Sequence, residues 1–498
     1  MKIYVIMMIL FTLACAGLRW AGNAQMREVV SPRFCAGSAI MLLAGFLLHS
    51  ILLMLIVCTV VSAVTARNRT DALVQFLLYY VLLPDIRYEW SVGSTYLFTV
   101  FLHHAFTLAF LINLQRFPAD QPARRGMSAE DAVMAFLIFM FAVAWTRFPS
   151  VTIAGRQIVD TVINLVIPYL ALRSTIRTEG SLQRLILAIV AAAVILSVYT
   201  AYEYRFGWVL FGQITGNFEY ATSFNANLSI RNGALRASAS FLNPLALASF
   251  LSLAVLGAGV SRRDFNGTVP WIGTCLVILY GLYTTQSRGN TVMLGLGILI
   301  LLLTRRQIGT AAALMATGLA AYAASATMSV GGRDAALFGT DTRVVYAGKV
   351  YSDYRGLLLD RGVDEIRKHP LTGQTFEDTL ASLQDIKQGE KIVDLVNFYL
   401  NVALVSGLPG LLIFVTGLAM VLLRLITGNP AAGRMNAYRG FVLASFATYL
   451  AQLAFMSFIS RMPLLMMLLL ASARAVSLAP QARRERIVPP VAPDPLPA

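Results

Sequence analysis

Charge is scarce in this sequence. Asp, Glu, Lys and Arg make up 13% of its 498 residues, about half the share found in a soluble globular domain. So little charge cannot coat a water-soluble fold, which excludes an ordinary soluble enzyme. Acidic residues are the scarcer sign, 25 against 40 basic ones, leaving a net charge of +15. Cysteine is rare and unpatterned. Cys15, Cys35, Cys58 and Cys275 include no CxxC spacing, so neither a disulfide framework nor a thiolate metal site is expected. The histidines, His49, His103, His104 and His369, form no metal-ligand pattern. Neither long hydrophilic loop, residues 205–240 or 329–394, holds a DxD pair, the usual means of fixing a diphosphate through a metal. No metal or cofactor is expected.

What is abundant is apolar. Hydrophobic residues make up 57% of the chain, and the mean hydropathy is +0.68. These values predict an all-α polytopic integral membrane protein of about 12–14 transmembrane helices. Residues 3–18 have Ala14-Cys15-Ala16 behind their apolar core. They read as an uncleaved first span in preference to a cleaved signal peptide, because the segment ahead of them is only weakly basic and many spans follow. Residues 36–65 read as one long tilted span or two short ones, and 96–114 as a single span with His103-His104 at its middle. Basic residues fall about two to one on alternate loops, which assigns the richer face to the cytoplasm. Lys2, Arg173, Arg305, Arg424 and Arg474 belong to that face, as do both termini, and Arg19, Arg27, Arg33 and Arg461 to the outer one. The excess of positive charge is therefore topological and not a nucleic-acid footprint. Residues 479–498, rich in proline, read as a disordered cytoplasmic tail.

Thr284-Thr285-Gln286-Ser287-Arg288-Gly289-Asn290 interrupts the apolar run 269–304, near twice the ~20 residues a span needs. The polar stretch reads as a tight turn, with Gly289 supplying backbone freedom and Arg288 set at the outer surface. The other outer arginines of interest are Arg231, Arg236, Arg343 and Arg355. A guanidinium grips phosphate oxygens bidentately and stays charged at any working pH. Most single arginines are simply solvated, but the short loop around Arg288 argues for positioning.

In the loop 329–394, an apolar stripe through 353–369 and a second opening at Thr375 predict two short amphipathic helices lying over the membrane helices. The loop's carboxylates (Asp353, Asp364, Glu365, Glu377, Asp378, Glu390, Asp394) include candidates for a general base, although solvated helix surface explains most of them. Asp394 stands out where the chain re-enters the membrane, beside Asn397. On a helix the two would share a face; a helix-capping Asp394 is the plain alternative. A break is expected at Gly407-Leu408-Pro409-Gly410.

Four stretches together resemble the O-antigen ligase and polysaccharide polymerase (Wzy-like) superfamily over residues 236–414. They are Arg236-Ala-Ser-Ala-Ser-Phe-Leu-Asn-Pro244, Gln286-Ser-Arg-Gly289, Arg355 with Ile366-Arg-Lys-His-Pro-Leu-Thr-Gly373, and Asp394-Leu-Val-Asn-Phe-Tyr-Leu400 with Ser406-Gly-Leu-Pro-Gly-Leu411. The resemblance implies inverting, metal-independent glycosyl transfer at the periplasmic face of a bacterial inner membrane, from an undecaprenyl-diphosphate-linked donor. Arg288 and Arg355 match arginines that bind the donor diphosphate, and Arg236 matches another family arginine. Ligases have His-Asn where this chain has Val396-Asn397. That departure favours an exopolysaccharide-type polymerase, whose donor and acceptor are both lipid-linked oligosaccharides, over a ligase acting on lipid A-core. Asp394 and Asn397 would then serve the acceptor. The expected partners are the bilayer, a chain-length regulator and export proteins. A transporter or flippase ranks below catalysis, because charge gathers at one face and no internal repeat is visible. The expected divisions are a bundle at 1–235, a core at 236–414, closing helices at 415–478 and the tail 479–498.

Overall fold

The computed structural model describes residues 2–84, 86–92, 95–118, 126–144, 147, 150–216, 218, 230–231, 234–313, 315, 344–346, 349–351, 354–386, 395–428 and 434–478. Helices dominate, as expected for an all-α polytopic membrane protein. In chain order they are α1 Lys2–Ala21, α2 Ala24–Val29, α3 Pro32–Leu47, α4 Ile51–Thr65, α5 Arg69–Leu82, α6 Leu102–Arg116 and α7 Ala129–Phe139. Then come α8 Val151–Thr161, α9 Ile167–Thr175, α10 Glu179–Phe206, α11 Gly212–Gly216, α12 Pro244–Val260, α13 Thr268–Thr284 and α14 Arg288–Thr304. The last five are α15 Tyr354–Lys368, α16 Phe376–Ser382, α17 Phe398–Thr427, α18 Arg434–Leu453 and α19 Met462–Ser477. Five described helical stretches are long and apolar enough to cross a membrane: Lys2–Ala21, Ala24–Leu47, Val151–Thr175, Glu179–Phe206 and Phe398–Thr427. Shorter apolar helices, α12, α13, α14 and α19 among them, fill out the bundle.

Local chemistry sets many of the helix starts. Asn23, Ser31, Asn68, Ser150, Thr178, Asn243, Thr375 and Asn397 each cap a following helix, their side-chain oxygens accepting backbone N–H bonds. Each satisfies donors that the first turn leaves open. Pro32 and Pro244 sit just inside α3 and α12, where a missing N–H costs nothing.

Side-chain contacts define two ends of the bundle. At one, Arg474 pairs with Asp131, Arg434 with Asp264 at 3.5 Å, Arg424 with Glu130 at 3.6 Å and Arg184 with Glu28 at 2.6 Å. This is the basic end. At the other, α15 and α16 lie over the start of α17, sharing a small apolar core with it: Leu357, Leu358, Leu383, Ile386, Leu395, Val396, Leu400 and Leu404. A Cβ at Gly362 would stand 2.7 Å from Leu400, so glycine lets α15 settle directly on α17. The two amphipathic helices of the long loop therefore do form a cap, and its end is the capped end.

Several expectations are corrected. Of the two readings of residues 36–65 the structure takes the two short helices, so the chain crosses there and returns, and the sides assigned to the segments before it change. Asn23 and Asn266 tie the 20–31 segment to the 263–266 turn, and Glu28 meets Arg184. Arg19, Arg27 and Arg33 therefore join the basic end, while Lys2, at the far end of α1, lies opposite. This strengthens the charge bias but separates Lys2 from the end that holds Ser477. Residues 96–114 are not one span: strands β1 Arg87–Val92 and β2 Thr95–Phe101 pair antiparallel before α6 begins. The aromatic and β-branched residues of Thr95–Phe101 suit a strand, and Trp90 packs on Phe98 at 5.5 Å. His103 and His104 consequently stand in the first turn of α6. Gly289 is helical; the left-handed residue of the 284–290 turn is Gln286, at φ 51°.

Candidate active site

The four resembling stretches, apart in sequence, pair off in space. The first meets the second. Ala237 N–H donates to the Thr284 carbonyl at 3.1 Å, and Arg236 Nε donates to the Thr285 carbonyl at 3.2 Å. Asn290 Nδ2 donates to the Leu245 carbonyl at 2.8 Å, closing the contact from the other side. Arg236 is thereby fixed to the turn that carries Arg288.

Arg288 is the first residue of α14. Ser287, at the cap position, makes no capping bond with its side chain, and the first turn holds no acidic residue. The open N–H groups and the positive end of the helix dipole suit an anion. A cation at that same end is electrostatically unfavourable unless an anion joins it. The Arg288 Nη1 is buried with no hydrogen-bond partner, and a buried charged donor left unmade costs more than 1–3 kcal/mol by rough estimate. A Cβ at Gly289, the next residue, would meet only open space.

The third stretch meets the fourth. Gly407 breaks α17 with φ 70° and ψ −178°, the break expected from Gly407-Leu-Pro-Gly. Into it docks the Pro370–Gly373 turn: Leu408 N–H donates to the Pro370 carbonyl and Gln374 N–H to the Leu404 carbonyl, both at 2.8 Å. A Cβ at Gly407 would come 2.5 Å from the Leu371 carbonyl oxygen, and one at Gly373 2.5 Å from that of Leu404. Both glycines are therefore required by close approach. Arg147 donates to the Thr372 and Val405 carbonyls and clamps the joint.

The segment between α18 and α19 bridges the two pairs. Ser457 Oγ donates to the Leu395 carbonyl and Ser460 Oγ to that of Phe241, both at 3.2 Å. All four stretches thus converge on the capped end. Arg355 stands exposed in the first turn of α15, again a cation at a helix N-terminus; no described contact joins it to Arg236 or Arg288.

Asn397 has an immediate structural duty, since its Oδ1 caps α17 by accepting from Leu400 N–H at 3.1 Å. The cap is thus Asn397 and not Asp394. Because α17 begins only at Phe398, the helical face that Asp394 and Asn397 were expected to share does not exist. Asp394, Asp353, Glu390 and Arg343 lie outside the described residues, as does the side chain of Arg231. Three of the other loop carboxylates are engaged: Glu365 is buried against Lys368 at 2.6 Å, Asp364 pairs with Arg367, and Asp378 accepts from Thr375 Oγ1 at 2.6 Å.

Two residues that hold this site escaped the sequence reading. Glu203 is fully buried, and its carboxylate accepts backbone N–H bonds from Leu210, Ser238 and Ala239 at 2.9–3.1 Å. It pins the backbone just after Arg236. Arg461, only 2% exposed, donates to the carbonyls of Val81 and Leu83 and to Ser240 Oγ, and lies over the Phe241 ring at 4.7 Å. A charge beside an apolar span was the available signal.

Residues 273–415 match a family model described as O-antigen ligase. The match includes Arg288, Arg355, Asp394 and Asn397 and begins after Arg236. A search of curated proteins returns no match.

Proposed function

From the O-antigen ligase domain at residues 273–415, we propose that this membrane protein is a polysaccharide polymerase. It transfers glycan from an undecaprenyl-diphosphate-linked donor to a lipid-linked repeat unit at the capped end, which faces the periplasm from a bacterial inner membrane. The observation that carries the reading is Arg288: a cation at an uncapped helix N-terminus, with a buried and unpartnered Nη1, beside Arg236. That arrangement fits a diphosphate. As the glycosidic bond to phosphate breaks, negative charge grows on the leaving diphosphate, and preorganised donors stabilise it most at that moment. Arg355 joins from the cap. The transfer is inverting and metal-independent, with the arginines supplying the positive charge. Asp394 accepts the proton of the acceptor hydroxyl, and the Asn397 amide, its oxygen spent on the cap, holds the sugar through Nδ2.

A second reading, ligation onto lipid A-core, is disfavoured at Val396. It is 6% exposed within the small apolar core under the cap, so the position of the ligase histidine serves packing here.

The test is polymer output in a deletion strain complemented with variants. Arg288→Lys keeps the charge but loses the bidentate fork. Polymer should fall at least about tenfold, the equivalent of one lost charged hydrogen bond, with lipid-linked repeat units accumulating at normal protein abundance. Asp394→Asn should do the same through loss of the base, by about 10² or more in rate. Full-length polymer from Arg288→Lys would reject the diphosphate clamp.

A further inference from the structure

A cavity of about 340 Å³ lies at the capped end, within the usual range of roughly 300–1,000 Å³ for ligand pockets. It opens beside Phe241, Leu242 and Asn243, which belong to the Arg236 stretch. All of its lining residues lie outside residues 273–415, which match the ligase family.

One wall is polar where it should be apolar. Gln157, Asp160, Thr161 and Asn164 line it, and the spacing places all four on one helical face. That face belongs to Val151–Thr175, a stretch apolar enough to cross a membrane. Asp160 sits roughly 13 Å along it at 1.5 Å per residue, and a carboxylate at such depth is costly unless it serves a site. Among the described residues, no side chain pairs with the Asp160 carboxylate. Its neighbours are locked instead: Asn164 Oδ1 meets Nε2 of His103 at 2.8 Å and of His104 at 2.9 Å, and Gln157 donates to the Phe141 carbonyl at 2.8 Å.

The facing wall is aromatic. Tyr80, Phe101, Phe141, Phe241 and Phe458 contribute rings, with His103 stacked 4.9 Å from Tyr80 and 5.0 Å from Phe101. A second, independent feature marks the place. Two π-helical turns, Met140–Ala144 and Val162–Val166, each put residues into the wall: Phe141 from the first, Asn164 and Leu165 from the second. Such turns concentrate at functional sites because they displace side chains from the regular helical face.

Flat rings opposite an unpaired carboxylate are the complement of a pyranose, which has an apolar face and a rim of hydroxyl donors. We infer that this cavity is a saccharide subsite that holds the glycan acceptor while the arginine end engages the donor, with Asp160 accepting hydroxyl hydrogen bonds. The inference rests on the glycan-transfer reading and adds to it the residues that choose the sugar. A lipid tail would use the rings but leave Asp160 unanswered.

The experiment uses full-length protein in detergent micelles, with Phe141→p-benzoylphenylalanine as a photo-crosslinker. The probe is the lipid-linked glycan extracted from a strain lacking this protein. Irradiation should give an adduct whose mass carries sugar residues. Sugar-free undecaprenyl diphosphate should not compete it away, and Asp160→Leu should lower its yield about tenfold, with Asp160→Asn intermediate, as expected for a lost hydrogen bond to a charged group. Gel filtration confirms that each variant remains folded. An adduct of lipid alone, full competition by the sugar-free lipid, or a yield unchanged in folded Asp160→Leu would overturn the saccharide subsite. If the sugar adduct persists while Arg288→Lys still makes normal polymer, the diphosphate reading falls and the subsite stands.

Discussion

Three buried or half-buried charges organise the capped end, and they differ in what they bind. Glu203 and Arg461 are spent on backbone: one accepts three N–H bonds, the other donates to two carbonyls and a hydroxyl. Arg288 keeps a buried Nη1 with no partner. The difference lies in engagement: three hydrogen bonds hold the Arg461 guanidinium, and among the described residues none is formed by that of Arg288. By position alone, Arg461 is an outer arginine outside every family motif, and its loss should be mild. Its burial reverses that expectation. Arg461→Lys cannot span the Val81 and Leu83 carbonyls and Ser240 together, and losing charged hydrogen bonds costs about 1.5–3 kcal/mol each. Thermal unfolding in detergent should shift down and cellular abundance should drop, whereas Arg288→Lys should leave both unchanged. An Arg461→Lys protein of wild-type stability would show that the buried guanidinium is dispensable.

At the scale of elements, the site depends on docking a loop into a broken helix. Pro370–Gly373 fills the break at Gly407, and the approach of backbone to backbone leaves no space for a Cβ at either glycine. Gly407→Ala adds a second penalty, since φ 70° with ψ −178° is a region held almost only by glycine and costs alanine about 1–3 kcal/mol. The expected result is release of the cap from α17. Hydrogen exchange should rise across residues 354–386, and polymer output should fall although no arginine has been touched. Alanine at Gly295, where a Cβ would meet nothing within 4 Å, is the matched control. Unchanged exchange in Gly407→Ala would mean that the cap is held by its apolar core alone.

For the whole molecule, the arrangement of ends makes a labelling prediction. Lys2 lies at the capped end, with the long loop, and Leu478 follows α19 at the basic end. In a background lacking the four native cysteines, Lys2→Cys and Gly389→Cys should react with an impermeant thiol reagent from the periplasmic side. Leu478→Cys should react only after the membrane is breached. Labelling of Lys2→Cys together with Leu478→Cys from one side would reject the extra crossing formed by α3 and α4.

The sequence by itself determined whatever follows from composition and local pattern. Hydropathy set the membrane class, because no soluble fold can be coated with so little charge. The interruption at residues 284–290, the stripes of α15 and α16 and the break at Gly407 are likewise local: a turn, a 3.6-residue period and a glycine before proline act over a few residues. The resemblance named Arg236, Arg288 and Arg355, but said nothing of why their stretches recur together. Only the tertiary structure decided that, by pairing the first with the second and the third with the fourth through backbone hydrogen bonds. It also divided 36–65 into two helices, turned Thr95–Phe101 into a strand, and made Asn397 the cap of α17. The cavity around Asp160 shows the same limit. Its polar stripe is visible along one helix, but its aromatic wall comes from five segments far apart in the chain, and long-range packing of that kind has no local periodicity to read.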